Sequence, residues 1–129
     1  VADIRDYGRL EKVFNRVNPH IIIIAAALKH VDVCELNPEE SIATNLTGVS
    51  NVVNVVENNQ QTLTDLQSVL MVSTDKACSP INVYGMCKSI SERIVLEKSR
   101  HIKGVKFIAT RYGNVLEDSH GTMNCVLNH

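Results

Sequence analysis

No stretch of this 129-residue chain concentrates charge of one sign. Its 13 Lys and Arg stand against 14 Asp and Glu, a formal net charge of −1. Neither a basic footprint for nucleic acid nor an acidic solvating tail is present. No apolar run can cross a bilayer: the longest, Ile21 to Leu28, is far shorter than the roughly 20 residues a spanning helix needs. No signal peptide is legible, and the chain opens on Val1 rather than Met, so a natural start is expected upstream. Cysteine is sparse. Cys34, Cys78, Cys87 and Cys125 form no C-x-x-C pair, are too few for a disulfide scaffold, and read as reduced thiols in a cytoplasmic protein. His30, Cys34 and Glu35 stand together, but nothing else has ligand spacing and no metal is expected. Repeats and low-complexity tracts are missing too. What remains, 44% hydrophobic and 21% charged, is an ordinary single globular domain.

Within that domain strands alternate with helices. Val1 to Ile4 reads as the tail of a strand. Asp6 can cap a helix carrying Leu10, Val13, Phe14 and Val17, which Asn18-Pro19 ends. Ile21 to Ile24 is a continuous β-branched run, as expected of a strand buried on both faces of a parallel sheet. Ala25, Ala26 and Ala27 follow it; their small side chains suit either close approach of a ligand or plain helix-on-sheet packing. A loop with a short helical piece is expected from Leu28 to Pro38. One long helix is then expected over about 38–60, with Ile42, Leu46, Val49, Val52, Val53 and Val56 on its apolar stripe. Asn45 interrupts that stripe, and its default reading is structural. Val69 to Val72 predicts a second strand, and a helix to about His101 follows, with Ile90, Ile94, Val95 and Leu96 inward and Gly104 as its cap. Val105 to Ala109 predicts a third strand. The pattern is α/β, a doubly wound parallel sheet.

The chemistry-bearing residues gather at strand ends. Ser73-Thr74-Asp75-Lys76 closes the second strand, and Tyr84 and Lys88 share a helix face four residues apart just beyond it. Taken alone, Y-x-x-x-K describes ordinary half-exposed neighbours on a helix. A hydroxyl at a strand end facing such a pair makes an acid/base site for oxidising a carbinol. Ala25 to Ala27 and Arg111 to Asn114 are expected at the same carboxyl edge, where open α/β sheets bind ligands.

The motifs D-I-R-D, A-A-A-L-K-H-V, N-P-x-x-x-I-x-T-N-x-x-G, S-T-D-K-A, P-I-N-x-Y-G-x-x-K and R-Y-G-N-V-L occur in that order. Together they closely resemble the extended short-chain dehydrogenase/reductase superfamily. Within it, the chain looks like the polysaccharide and capsule biosynthesis group that includes the C5-inverting UDP-N-acetylglucosamine 4,6-dehydratases. The resemblance spans about residues 1–116 and leaves 117–129 as an irregular tail. It implies one partial NAD(P)-binding Rossmann domain over 1–129, lacking its first strands and Gly-rich loop. It assigns Tyr84 to the sugar O4 proton and Lys88 to the nicotinamide ribose. Thr74 would sit beside O4, and Asp75 and Lys76 would remove water across C5 and C6. Asp3 and Ile4 would contact adenine, Ala25 to Ala27 would pass the dinucleotide backbone, and Lys29 and Asn45 would lie nearby. Asn114 would face the UDP-sugar.

The expected function is thus a fragment of a nucleotide-sugar 4,6-dehydratase using NADP or NAD, inactive alone, from a full-length parent that is a homo-oligomer without nucleic-acid or membrane partners. A UDP-sugar 4-epimerase of the same fold is the alternative, and a non-catalytic remnant or assembly module the alternative of another class. The family's Gly-x-x-Gly-x-x-Gly loop is not in the chain, and Glu117 to Gly121 stand where the family shows Gly-Ser-Arg-Gly. Tyr84 must ionise near neutrality, about three units below free tyrosine. An i,i+4 cation contributes only about 0.2–0.5 kcal/mol when exposed, so a closed site and the positive nicotinamide are also required.

Overall fold

The computed structural model describes residues 1–113. Helix α1 covers Tyr7–Val17. Asp6 caps it by accepting from the Arg9 N–H at 2.9 Å, and Asn18, left-handed at φ 44°, closes it before Pro19. Strand β1 is Ile21–Ile24, followed by α2 (Val31–Leu36), α3 (Pro38–Ile42), a π-helical turn (Ala43–Thr47) and α4 (Gly48–Asn58). Strand β2 (Ser68–Thr74) runs into a 3-10 turn (Asp75–Ala77), then α5 (Val83–Lys98) and β3 (Lys106–Tyr112). The three strands pair in parallel in the order β1-β2-β3, with Ile24 opposite Met71 and Ser73 opposite Arg111.

One sheet face carries the core. Ile22, Ile24, Val69, Met71 and Phe107 pack with Val49, Val52, Val53 and Val56 of α4 and Val95 of α5. Among the described residues the other face is less covered, with Ile21 56% and Ile23 61% exposed. The expected burial of β1 on both faces is therefore corrected. A run of four isoleucines has no alternation from which a solvent face could be read, and the α4–α5 layer covers one side only.

Other expectations also shift. Val1 to Ile4 is no strand; Ile4 instead packs on α4, where a Cβ on Gly48 would stand 2.7 Å from its Cγ2. The helix expected over 38–60 runs without a break from 38 to 58 but passes through the π turn, and Ile42 is exposed. Helix α5 stops at Lys98, with Ile90 and Leu96 exposed. Gly104, at φ 84°, turns the chain into β3 rather than capping the helix. β3 continues past Ala109, so Arg111 and Tyr112 belong to the strand. Among the described residues no helix is long and apolar enough to cross a membrane.

Candidate functional site

The carboxyl end of β2 delivers Ser73 and Thr74 to the foot of α5. The Thr74 hydroxyl donates to Asp75 Oδ1 at 3.0 Å, and Lys76 Nζ donates to the same oxygen at 3.3 Å. These contacts, the Thr74 hydroxyl foremost, hold the Asp75 carboxyl below the ordinary range. Asn82 caps α5 by accepting from the Gly85 N–H at 2.7 Å, while Glu35 of α2 accepts from the Val83 N–H. The cap sets the first turn of α5 against the 3-10 turn, so Tyr84 comes next to Thr74 and Asp75.

Tyr84 is 8% exposed and Lys88 2% exposed. Lys88 Nζ donates to the Val72 carbonyl at 3.0 Å, tying the lysine to β2. Burial pushes the Tyr84 phenol up, and the neighbouring Tyr112, Cys34 and Asp75 add to it, while the Thr74 hydroxyl pulls the other way. Burial also pushes the Lys88 ammonium down, opposed by Glu92. The protein groups alone therefore leave Tyr84 a poor base, and a cation at the open edge would be needed to ionise it.

A second cluster was not legible as chemistry. Glu92 accepts from Ser73 Oγ, from Arg111 Nε at 2.9 Å and from Arg111 Nη2 at 2.6 Å. Arg111 Nη1 also lies 2.8 Å from Cys78 Sγ. The guanidinium and Ser73 overcome the cost of burial and hold Glu92 below its ordinary value. The one sequence signal available was spacing: Tyr84, Lys88 and Glu92 recur every four residues on one helix face.

At the β1 end, Ala25, Ala26, Ala27 and Lys29 form an exposed connection. Asn45 is fully buried. Its Oδ1 accepts from the Leu28 N–H at 2.8 Å and its Nδ2 donates to the Leu28 carbonyl at 2.9 Å. The Asn45 carbonyl, inside the π turn, accepts from Ser91 Oγ of α5 at 2.7 Å. Asn45 thus holds the connection from beneath rather than lining its surface. Asp3 is gripped by Arg5 through both carboxylate oxygens, which lowers its pKa to about 2. Asp3 and Arg5 line a cavity of about 470 Å³ together with Leu28, Val33, Asn37, Glu40 and Thr44. Ile4 is turned onto Gly48 instead. Thr74, Asp75, Lys76, Tyr84 and Lys88 are brought together; Asp3 and Ala25 to Lys29 belong to the β1 side; Asn114 lies outside the described residues.

Comparison with known proteins adds three findings. A family model described as polysaccharide biosynthesis protein matches residues 1–126. The UDP-N-acetylglucosamine 4,6-dehydratase (inverting) of Campylobacter jejuni strain 81-176 is 38% identical over 118 residues, and the UDP-glucose 4-epimerase of Rickettsia rickettsii 37% identical over 118 residues. Each alignment covers 90% of this chain and 33% of the relative, so the chain spans about a third of their length. The crystal structure of UDP-glucose 4-epimerase from Brucella ovis in complex with NAD superimposes with a TM-score of 0.76 at 23% identity, covering 88% of this chain and 37% of that one. That likeness identifies the fold as part of a Rossmann-type α/β sheet.

Proposed function

This chain belongs to the family of polysaccharide biosynthesis proteins, and on that premise we propose that it is a segment of a nucleotide-sugar 4,6-dehydratase acting on a UDP-sugar with NAD or NADP. The observation that carries the reading is the meeting of Thr74, Asp75 and Lys76 with Tyr84 at one strand edge, above a buried Lys88. The residues present fit part of a dinucleotide. The alanines of the β1 connection leave its backbone open to close approach, and the cavity at Asp3 lies on the same side. Asp3, Ala25, Ala26, Ala27 and Lys29 would hold the adenine side and the dinucleotide backbone, with Asn45 supporting them from below. Lys88 and Tyr84 would face the nicotinamide end, where the bound cofactor supplies a hydride acceptor and a positive ring.

In this reading Tyr84 takes the O4 proton as the C4 hydride leaves, with Thr74 hydrogen-bonded at O4. The resulting ketone makes the C5 hydrogen acidic. Lys76 or Asp75 would remove that proton while the other protonates the departing O6, which leaves as water; return of the hydride to C6 would then be balanced by return of a proton to C5. Lys76, partly exposed and paired with Asp75, must lose its own proton before serving as the base. Asn114 is proposed to face the sugar. The setting is cytoplasmic, and the longer protein a homo-oligomer.

A 4-epimerase is the second reading, favoured by the near-equal identity to the Rickettsia relative. Product analysis separates the two in the longer polypeptide that carries this segment. Formation of a 4-keto-6-deoxy sugar supports the dehydratase, whereas an intact C4 epimer as sole product removes the roles given to Asp75 and Lys76. Tyr84→Phe should abolish reduction of the nicotinamide, and Lys76→Ala should permit it while lowering turnover about 10²–10⁴-fold.

A further inference from the structure

Tyr84, Lys88 and Glu92 occupy successive turns of α5, and each is nearly buried. Tyr84 reaches the Thr74–Asp75 end of β2, and Lys88 donates to the Val72 carbonyl. Glu92 is seized from two strands at once, by Ser73 of β2 and by the forked guanidinium of Arg111 of β3. Ser73 and Arg111 are register partners across the sheet, so one carboxylate joins the helix to both strands beside the site. We propose that Glu92, clamped by Arg111 and Ser73, is the positioning residue of the Tyr84–Lys88 pair: it fixes α5 against the ends of β2 and β3 and supplies the counter-charge of the buried Lys88 ammonium.

The charges support this division of labour. The groups facing Tyr84 and Glu92 are Asp75 of the 3-10 turn, Arg111 and Tyr112 of β3, and Cys34 of α2. Of the groups that act on Lys88, the carboxylate of Glu92 opposes the effect of burial. A buried ammonium without such a partner loses its proton, and a neutral lysine could not help a phenol to ionise. Eight residues from Tyr84, Glu92 lies about 12 Å away along the helix axis. Glu92 is the carboxylate that acts on Lys88, and it is not among the groups that raise the tyrosine.

The proposal rests on the reading of Tyr84 and Lys88 as the hydride-transfer pair, but its test does not use the reaction. In the 129-residue chain, the Lys88 side chain is titrated by ¹⁵N and ¹³C nuclear magnetic resonance in the wild type and in Glu92→Gln. The expected result is a Lys88 midpoint lower by about one pH unit in the variant. A clamp that is merely structural would loosen and let water in, moving the midpoint up toward that of a free lysine. An unmoved or raised midpoint therefore overturns the proposal. Should Glu92→Gln fail to fold, Lys88→Met, which keeps the clamp, decides: losing the ammonium should raise the midpoint of the Glu92 carboxyl, read from its ¹³C resonance, and an unmoved or lowered midpoint overturns the proposal. Either failure leaves the product assay untouched, and failure of that assay leaves the titration untouched.

Discussion

Gly85 lies so close to Lys76 that a Cβ placed on it would stand 2.3 Å from the Lys76 carbonyl oxygen. The same Cβ would meet Asn82 Oδ1 at 3.2 Å. The glycine is therefore the point where α5 is pressed onto the 3-10 turn, and it brings Tyr84 to Asp75 and Lys76.

Gly85→Ala should consequently cost stability although it places alanine in a helix. The propensity gain is at most about 1 kcal/mol and smaller in a first turn. Overlap with a backbone carbonyl cannot be relieved by a rotamer change, and overpacking of this kind costs about 1–3 kcal/mol. Urea denaturation should show a net loss of about 1–2 kcal/mol. A variant as stable as the wild type would mean that the helix and the turn are not in contact.

Such contacts explain what sequence could and could not disclose. The alternation of strands and helices, the Asp6 cap and the β2–α5 position of Tyr84 and Lys88 are local, written in spacing and turn chemistry. The Glu92–Arg111 pair is 19 residues apart and exists only because parallel pairing sets Arg111 opposite Ser73. The solvent face of β1 was hidden by its uniformity. The π turn was hidden because a single polar Asn45 within an apolar stripe still reads as an α-helix, and only the tertiary bonds of Asn45 show why the helix widens there.

Asn45 supplies the next prediction. Asn45→Ala removes the Asn45 partner of the Leu28 N–H and leaves the Leu28 carbonyl with only the Cys34 thiol. Leaving a buried polar group unpaired costs about 1–3 kcal/mol, and Leu28 is only half-buried, so water recovers a part. A loss of about 2–4 kcal/mol is expected by denaturation. Asn51→Ala is the control, since its bonds to the Ile4 and Arg5 carbonyls lie nearer the surface; it should cost no more than about 1 kcal/mol. Equal losses would show that Asn45 is not the anchor of the β1 connection.

The last prediction concerns acid. Glu92 is held below its ordinary value of 4.5, with Arg111 and Ser73 opposing the effect of burial, and Asp75 is held below 3.8, chiefly by Thr74. A carboxyl whose folded pKa is depressed binds its proton more readily in the unfolded chain. Its contribution is thus complete above the unfolded value and is lost as pH falls through the folded one. Melting temperature should therefore not fall on account of these two groups between about pH 7 and pH 5, and should drop below about pH 4.5. Asp75 is largely exposed and weighs little; Glu92, with a side chain only 8% exposed, carries most of the effect. Glu92→Gln should be less stable than wild type at pH 7, by about 2 kcal/mol for a hydrogen-bonded charge, and the two curves should converge as pH falls toward 3. A gap that stays constant from pH 7 to pH 3 would show that the folded protein does not favour the Glu92 carboxylate, and that Arg111 and Ser73 do no more for it than water does.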